Sequence, residues 1–168
     1  MSYRNKTYVA FASENIGLYR LMEAWRDNRH IDFNFYDAHD LNISRDTSMP
    51  ETIKRNLRVR MSNAKQVVLI GTPPQAKKKG GDGTSFLAHE VALVQEFKLP
   101  VVVANHDGGK EVDRNFIPTP LLSANYYTVS VAFSPAIIKY ALDSYAVGFA
   151  SSSSSGPHYY KQEIYDRL

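Results

Sequence analysis

At 168 residues the chain is long enough for one domain with a hydrophobic core, and 43% hydrophobic with 22% charged residues is ordinary globular composition. The absence of cysteine excludes disulfides, thiol catalysis and cysteine zinc sites. A net charge of +3 helps hold a phosphate-bearing ligand but is too small to point to nucleic acid, and no apolar run approaches the ~20 residues of a membrane span.

In chain order, TYVAFA (7–12) is a short apolar, β-branched and aromatic run and predicts a first strand. The opening MSYRNKTYVAFAS lacks the long apolar core of a signal peptide, so the expected location is cytoplasmic. NIGLYRLMEAWRDN (15–28) has helical spacing, with Ser13 or Asn15 as its cap. IDFNFY (31–36) alternates apolar and polar residues and predicts a strand with one better-buried face. DAHDLNISRDTSM is a polar loop. In the helix predicted over 48–64, Ser48 and Glu51 have capping-box spacing, Pro50 lies in the first turn, and Ile53, Leu57 and Met61 form a narrow apolar seam. Lys54, Arg55, Arg58 and Arg60 make a basic, solvated face.

QVVLIG (66–71) is continuously apolar, the mark of a strand buried on both sides. TPPQAKKKGGDG is a Pro/Gly/Lys loop. TSFLAHEVALVQEF (84–97) predicts a helix capped by Thr84 or Ser85, and LPVVVAN (99–105) a second buried strand. A long loop leads to the strand YYTVSVAF (126–133) and to the helix SPAIIKYALDSYAVGF (134–149), with Ser134 as cap and Pro135 just inside. Strands alternate with helices, which implies a parallel sheet covered on both faces. The expected fold is a single α/β, doubly wound, flavodoxin-like domain with a five-stranded parallel sheet over residues 1–150. Residues 151–168 are expected to be a flexible Ser-rich joint and a tail whose end docks as a short helix or strand or stays apart.

Glu90 is the anomaly. At about 100° of rotation per residue, Phe86, Leu87, Leu93, Val94 and Phe97 share one apolar arc and Glu90 points into its middle. His89, Gln95 and Glu96 take the polar side, His89 as an exposed residue. A carboxylate on an apolar stripe costs free energy unless it is paired, hydrogen-bonded or lining a cleft. Two readings follow: a Glu satisfied by a basic group or leaning out at the helix edge, and a catalytic or ligand-binding carboxylate. Ligands of doubly wound folds bind beyond the carboxyl ends of the strands. Glu90 lies within the first two turns of a helix that starts at that edge, which favours the functional reading.

Three stretches then resemble the TIR domains. YVAFASEN is similar to their first strand, which runs into a Phe-x-Ser turn, here Phe11, Ala12 and Ser13. TSFLAHE resembles the helix pattern of a Ser, a Trp four residues before a Glu, and that Glu; Thr84, Phe86 and Glu90 take those places. FNFYDAHDLN, RDTS and ETIKRNLRVRMSNAKQVVLIG resemble a bacterial TIR-like family whose members include the TIR-like subunits of Thoeris anti-phage systems. The resemblance spans roughly residues 7 to 148. It implies an enzyme that takes NAD+ as substrate rather than cofactor, and cleaves the nicotinamide–ribose bond with Glu90 as catalytic residue. The implied product is ADP-ribose or a cyclic isomer that diffuses to a separate effector. Self-assembly is a further expectation, and a non-catalytic TIR-like scaffold is the alternative. Phe86 replaces Trp, and the loop before the helix is richer in Gly and Lys than the family pattern.

Other candidates fill the same edge. Phe11 and Ser13 are placed to contact nicotinamide or ribose; the competing reading is a core Phe and a helix-capping Ser. Asp37, His39, Asp40, Arg45 and Asp46 crowd one loop, either as a self-satisfied turn or as substrate contacts, with the Arg45 fork suited to phosphate. The Asp37-His39-Asp40 spacing fits no standard metal site, so no metal is expected. Lys77, Lys78 and Lys79 with Gly80, Gly81 and Gly83 do not match a phosphate-loop motif, and no GxGxxG is present. A flavin-binding reading remains open, while FASEN and IGTPP stand where a phosphoacceptor would need its acidic residues.

Overall fold

The computed structural model of the chain describes residues 6–37, 50–71 and 86–168. Strand β1 (Lys6–Ala10) leads through a short 3-10 turn at Ser13–Asn15 into helix α1 (Ile16–Asp27). Then come β2 (Tyr36–Asp37), α2 (Pro50–Ser62), β3 (Gln66–Ile70), α3 (Phe86–Phe97), β4 (Val101–Asn105), the short α4 (Thr119–Ser123), β5 (Thr128–Ala132), α5 (Pro135–Gly148), β6 (Pro157–Tyr159) and α6 (Gln162–Tyr165).

The strands are all parallel, in the order β2-β1-β3-β4-β5-β6. The first five make the expected five-stranded doubly wound sheet, and the chain's tail adds a short sixth strand beside β5. Every residue of β3, β4 and β5 is buried, because helices cover both faces. The period-2 geometry of a strand sorts the core into two halves. Val9, Phe11, Val68, Ile70, Val102 and Ala104 pack with α1 and α5. Tyr8, Ala10, Ala12, Val67, Leu69, Val101 and Val103 pack with α2 and α3, where the seam Ile53, Leu57 and Met61 meets Leu87, Val91 and Val94. Among the described residues no helix is long and apolar enough to cross a membrane.

Several local expectations need correction. Of 31–36 only Tyr36 joins the ladder, although Phe33 and Phe35 are buried; their alternation reports packing under α1 rather than strand pairing. Asn15 precedes α1 but its Oδ1 caps no backbone N–H, and its Nδ2 donates to the carbonyl of Gly71 at 3.2 Å. Ser134 precedes α5 without a capping bond from its side chain. The serine run is tied down: Asn125 donates to Ser155 Oγ at 3.1 Å, and the backbone N–H of Gly156 to the carbonyl of Asn125 at 2.8 Å. Beyond β6, Tyr160, Ile164 and Tyr165 pack on the α1/α5 half of the core. Ser48, Thr84 and Ser85, the other candidate caps, lie outside the described residues.

Candidate functional site

In this strand order the chain winds away in both directions from the gap between β1 and β3, so their carboxyl ends border the crevice where such folds bind ligands. Local sequence builds that edge. The strands end at Ala10, Ile70 and Asn105, and Gly71 and Asn105 close the apolar runs of β3 and β4. Asn15, itself buried, donates across the gap to the carbonyl of Gly71 and so ties the end of β1 to the end of β3. Gly71 sits at a close approach: a Cβ there would stand 3.1 Å from both the Ala104 carbonyl oxygen and the Phe116 Cβ. Asn105 donates from Nδ2 to the carbonyls of Gly109 and Glu111, both at 2.8 Å, and closes the turn after β4. Its Oδ1 is buried with no hydrogen-bond partner among the described residues. The His106 ring packs edge-on against Phe116 at 4.6 Å.

Glu90 sits in the second turn of α3 and is 1% exposed. Its helix neighbours Leu87, Val91 and Val94 belong to the same apolar cluster as Tyr8. The Tyr8 phenol, fully buried on β1, donates to Glu90 Oε1 at 2.5 Å. The carboxylate therefore neither leans out nor reaches the surface; it is satisfied at least in part by a hydroxyl from the central sheet. Glu96 on the same helix is the contrast. It is exposed and gripped by both arms of Arg58, at 2.8 and 2.5 Å. That hydrogen-bonded guanidinium holds the Glu96 carboxyl below its usual range, while Glu96 raises Arg58. Helix α3 thus carries one surface carboxylate in a salt bridge and one sunk in the core beside a phenol.

The sequence candidates are distributed unevenly. Phe11 is only 2% exposed and stacks on Tyr19 with ring centroids 4.9 Å apart, in the α1/α5 half of the core. It packs on the sheet face opposite Tyr8, in the other half of the core from α3. The backbones of Ser13, Asp37 and Phe86 lie, respectively, in the turn after β1, at the end of β2 and at the start of α3, all at the ligand edge. His39, Asp40, Arg45, Asp46 and Thr84, like the Lys/Gly loop 77–83, lie outside the described residues. His89 is half-buried rather than exposed, and its Nε2 lies 3.3 Å from the carbonyl oxygen of Lys54 on α2. Sequence reasoning missed Tyr8, Asn15 and Asn105. The signal for Asn105 was available, as a polar residue closing the apolar run VVVAN. For Tyr8 there was none, since tyrosine is ordinary in a strand.

A cavity of about 600 Å³ opens at the other edge of the sheet, between Gln95, Lys98, Tyr126 and Phe149, and is separate from this site.

Residues 8–79 match the family described as Thoeris protein ThsB, TIR-like domain, a stretch that runs from β1 to beyond β3 and stops short of Glu90. No curated protein matches the chain. Together with the parallel sheet in its doubly wound order, that match supports a TIR-like domain of the Thoeris type.

Proposed function

We propose that this domain breaks the nicotinamide–ribose bond of NAD+ with Glu90 as the catalytic carboxylate, and that it serves anti-phage defence by producing ADP-ribose or a cyclic isomer. The observation that carries this reading is a carboxylate, 1% exposed, in the second turn of a helix rising from the ligand edge of a TIR-like sheet. Cleavage of the C–N bond sends its electron pair to the nicotinamide, which leaves neutral and needs no general acid. Positive charge is left on the ribose, as in glycoside cleavage. A fixed carboxylate stabilises that charge, and apolar surroundings such as Leu87 and Val91 strengthen the effect. Water then attacks C1′ to give ADP-ribose, or a nitrogen of the folded-back adenine attacks it to give a cyclic product.

Ser13, Asp37, Thr84 and Phe86 are assigned to the ribose and nicotinamide, and His39, Arg45 and Asp46 to the pyrophosphate side. NAD+ is drawn from the cytoplasm, and a diffusible product reaches a separate effector. The second reading is a non-catalytic assembly module. It is favoured by the Tyr8–Glu90 bond, since a carboxylate held by a buried phenol is a satisfied core group.

NAD+ and its products, measured by mass spectrometry in cells and in lysate of phage-infected cells, separate the two. Loss of NAD+ with wild type but not with Glu90→Gln supports the enzyme. Equal behaviour of both proteins under every trigger, with Glu90→Gln altering only stability or assembly, supports the module.

A further inference from the structure

We infer that Tyr8 is the positioning residue for Glu90: its phenol holds the carboxylate in its working orientation, an inference that rests on the NAD+-cleaving role proposed for Glu90. The two residues lie 82 positions apart in sequence, and the bond between them is short and buried. At 2.5 Å it falls in the range of a hydroxyl donating to an ionised carboxylate, about twice as strong as a neutral pair.

The strand places the phenol. On β1 and the two residues after it, the positions packed in the core half of α2 and α3 are Tyr8, Ala10 and Ala12. Tyr8 is the one of the three whose side chain carries a donor. Toward the carboxyl end, the strand offers only the methyl groups of Ala10 and Ala12 on that face. A phenol therefore grips the carboxylate from the sheet's interior side, and small side chains follow toward the ligand edge. The grip is stiff, because Tyr8 is paired in register with Val67 of β3, and the two residues before it, Lys6 and Thr7, pair with β2. A group fixed to a central strand holds its partner better than one on a loop. A carboxylate on an α-helix has three rotatable bonds of its own, and the hydroxyl removes that freedom before substrate arrives.

The test uses the full chain with NAD+ over a range of concentrations and lysate of phage-infected cells as trigger. Tyr8→Phe keeps the buried ring and deletes only the hydroxyl. The expected result is a kcat lowered by roughly tenfold or more with KM within about twofold, since an orienting bond acts on the reacting group rather than on substrate affinity. As a guard against a misfolded variant, 3-fluorotyrosine placed at position 8 keeps shape and packing but makes the phenol a stronger acid; kcat then departs from wild type at unchanged KM. Wild-type kcat in both variants, or a loss carried by KM alone, overturns the positioning role and leaves the NAD+ reading standing. Absence of turnover by wild type, or turnover by Glu90→Gln equal to wild type, removes both.

Discussion

The phenol of Tyr145 on α5 accepts the backbone N–H of Val101 at 2.9 Å and donates to the carbonyl of Tyr127 at 2.7 Å. One side chain therefore fastens a helix to the starts of two neighbouring strands, β4 and β5. Tyr145→Phe leaves a buried N–H and a carbonyl without that partner. The expected cost is about 1–3 kcal/mol, read as a lower urea midpoint at unchanged slope.

Alkaline pH tests the same corner. Burial pushes the Tyr126 phenol up to about 12, and burial raises Tyr145 as well. A phenol whose folded pKa exceeds its unfolded value of about 10 contributes stability that is complete below pH ~10 and is lost as pH rises toward the folded value. Thermal midpoints should therefore fall between pH 10 and about 12. Tyr126→Phe should flatten that fall, and a curve unchanged by the substitution would contradict the assignment.

Gly71→Ala is expected to destabilise by about 1–3 kcal/mol, because the new methyl would press on a backbone oxygen and on the Phe116 Cβ, both at 3.1 Å. Asn15→Ala, which removes the tie to the Gly71 carbonyl, should cost about 1 kcal/mol. Calorimetric unfolding measures both.

Removing residues 152–168 should lower the melting temperature and increase binding of a hydrophobic dye. The deletion strips β6 from β5 and takes away the Tyr165 hydroxyl that accepts the Ala132 N–H at 3.0 Å. Gly156→Ala is the point-mutation form of this test. Its φ of +70° and a Cβ position 2.8 Å from Asn125 Oδ1 predict the same direction with smaller size.

How much of this was legible follows from which interactions are local. QVVLIG and VVVAN announced buried parallel strands because burial on both faces leaves no polar alternation to read. The seam Ile53, Leu57 and Met61 announced the buried stripe of α2 for a similar reason. Glu90 was legible as an anomaly, since a carboxylate on an apolar arc is visible from helical periodicity alone. Its partner was not. Tyr8 meets it through the packing of α3 on β1, a relationship no window of neighbouring residues contains. Phe11 shows the opposite failure. Strand alternation puts it on the other face from Tyr8, but without knowing which helices cover which face that fact assigns no site. Asn15 was read as a cap from its position, and its side chain instead reaches across the sheet to the carbonyl of Gly71, a tertiary contact no local window contains.

The sheet's two borders have a consequence for assembly. Among the described residues the edge strands are brief, two residues in β2 and three in β6, and the latter opens with Pro157. A short border strand with a proline offers little template for a neighbouring chain to extend the ladder. Any assembly of copies of this domain would accordingly favour contacts of side chain on side chain over continuing one hydrogen-bonded ribbon. Such contacts can be made and broken without unfolding a strand.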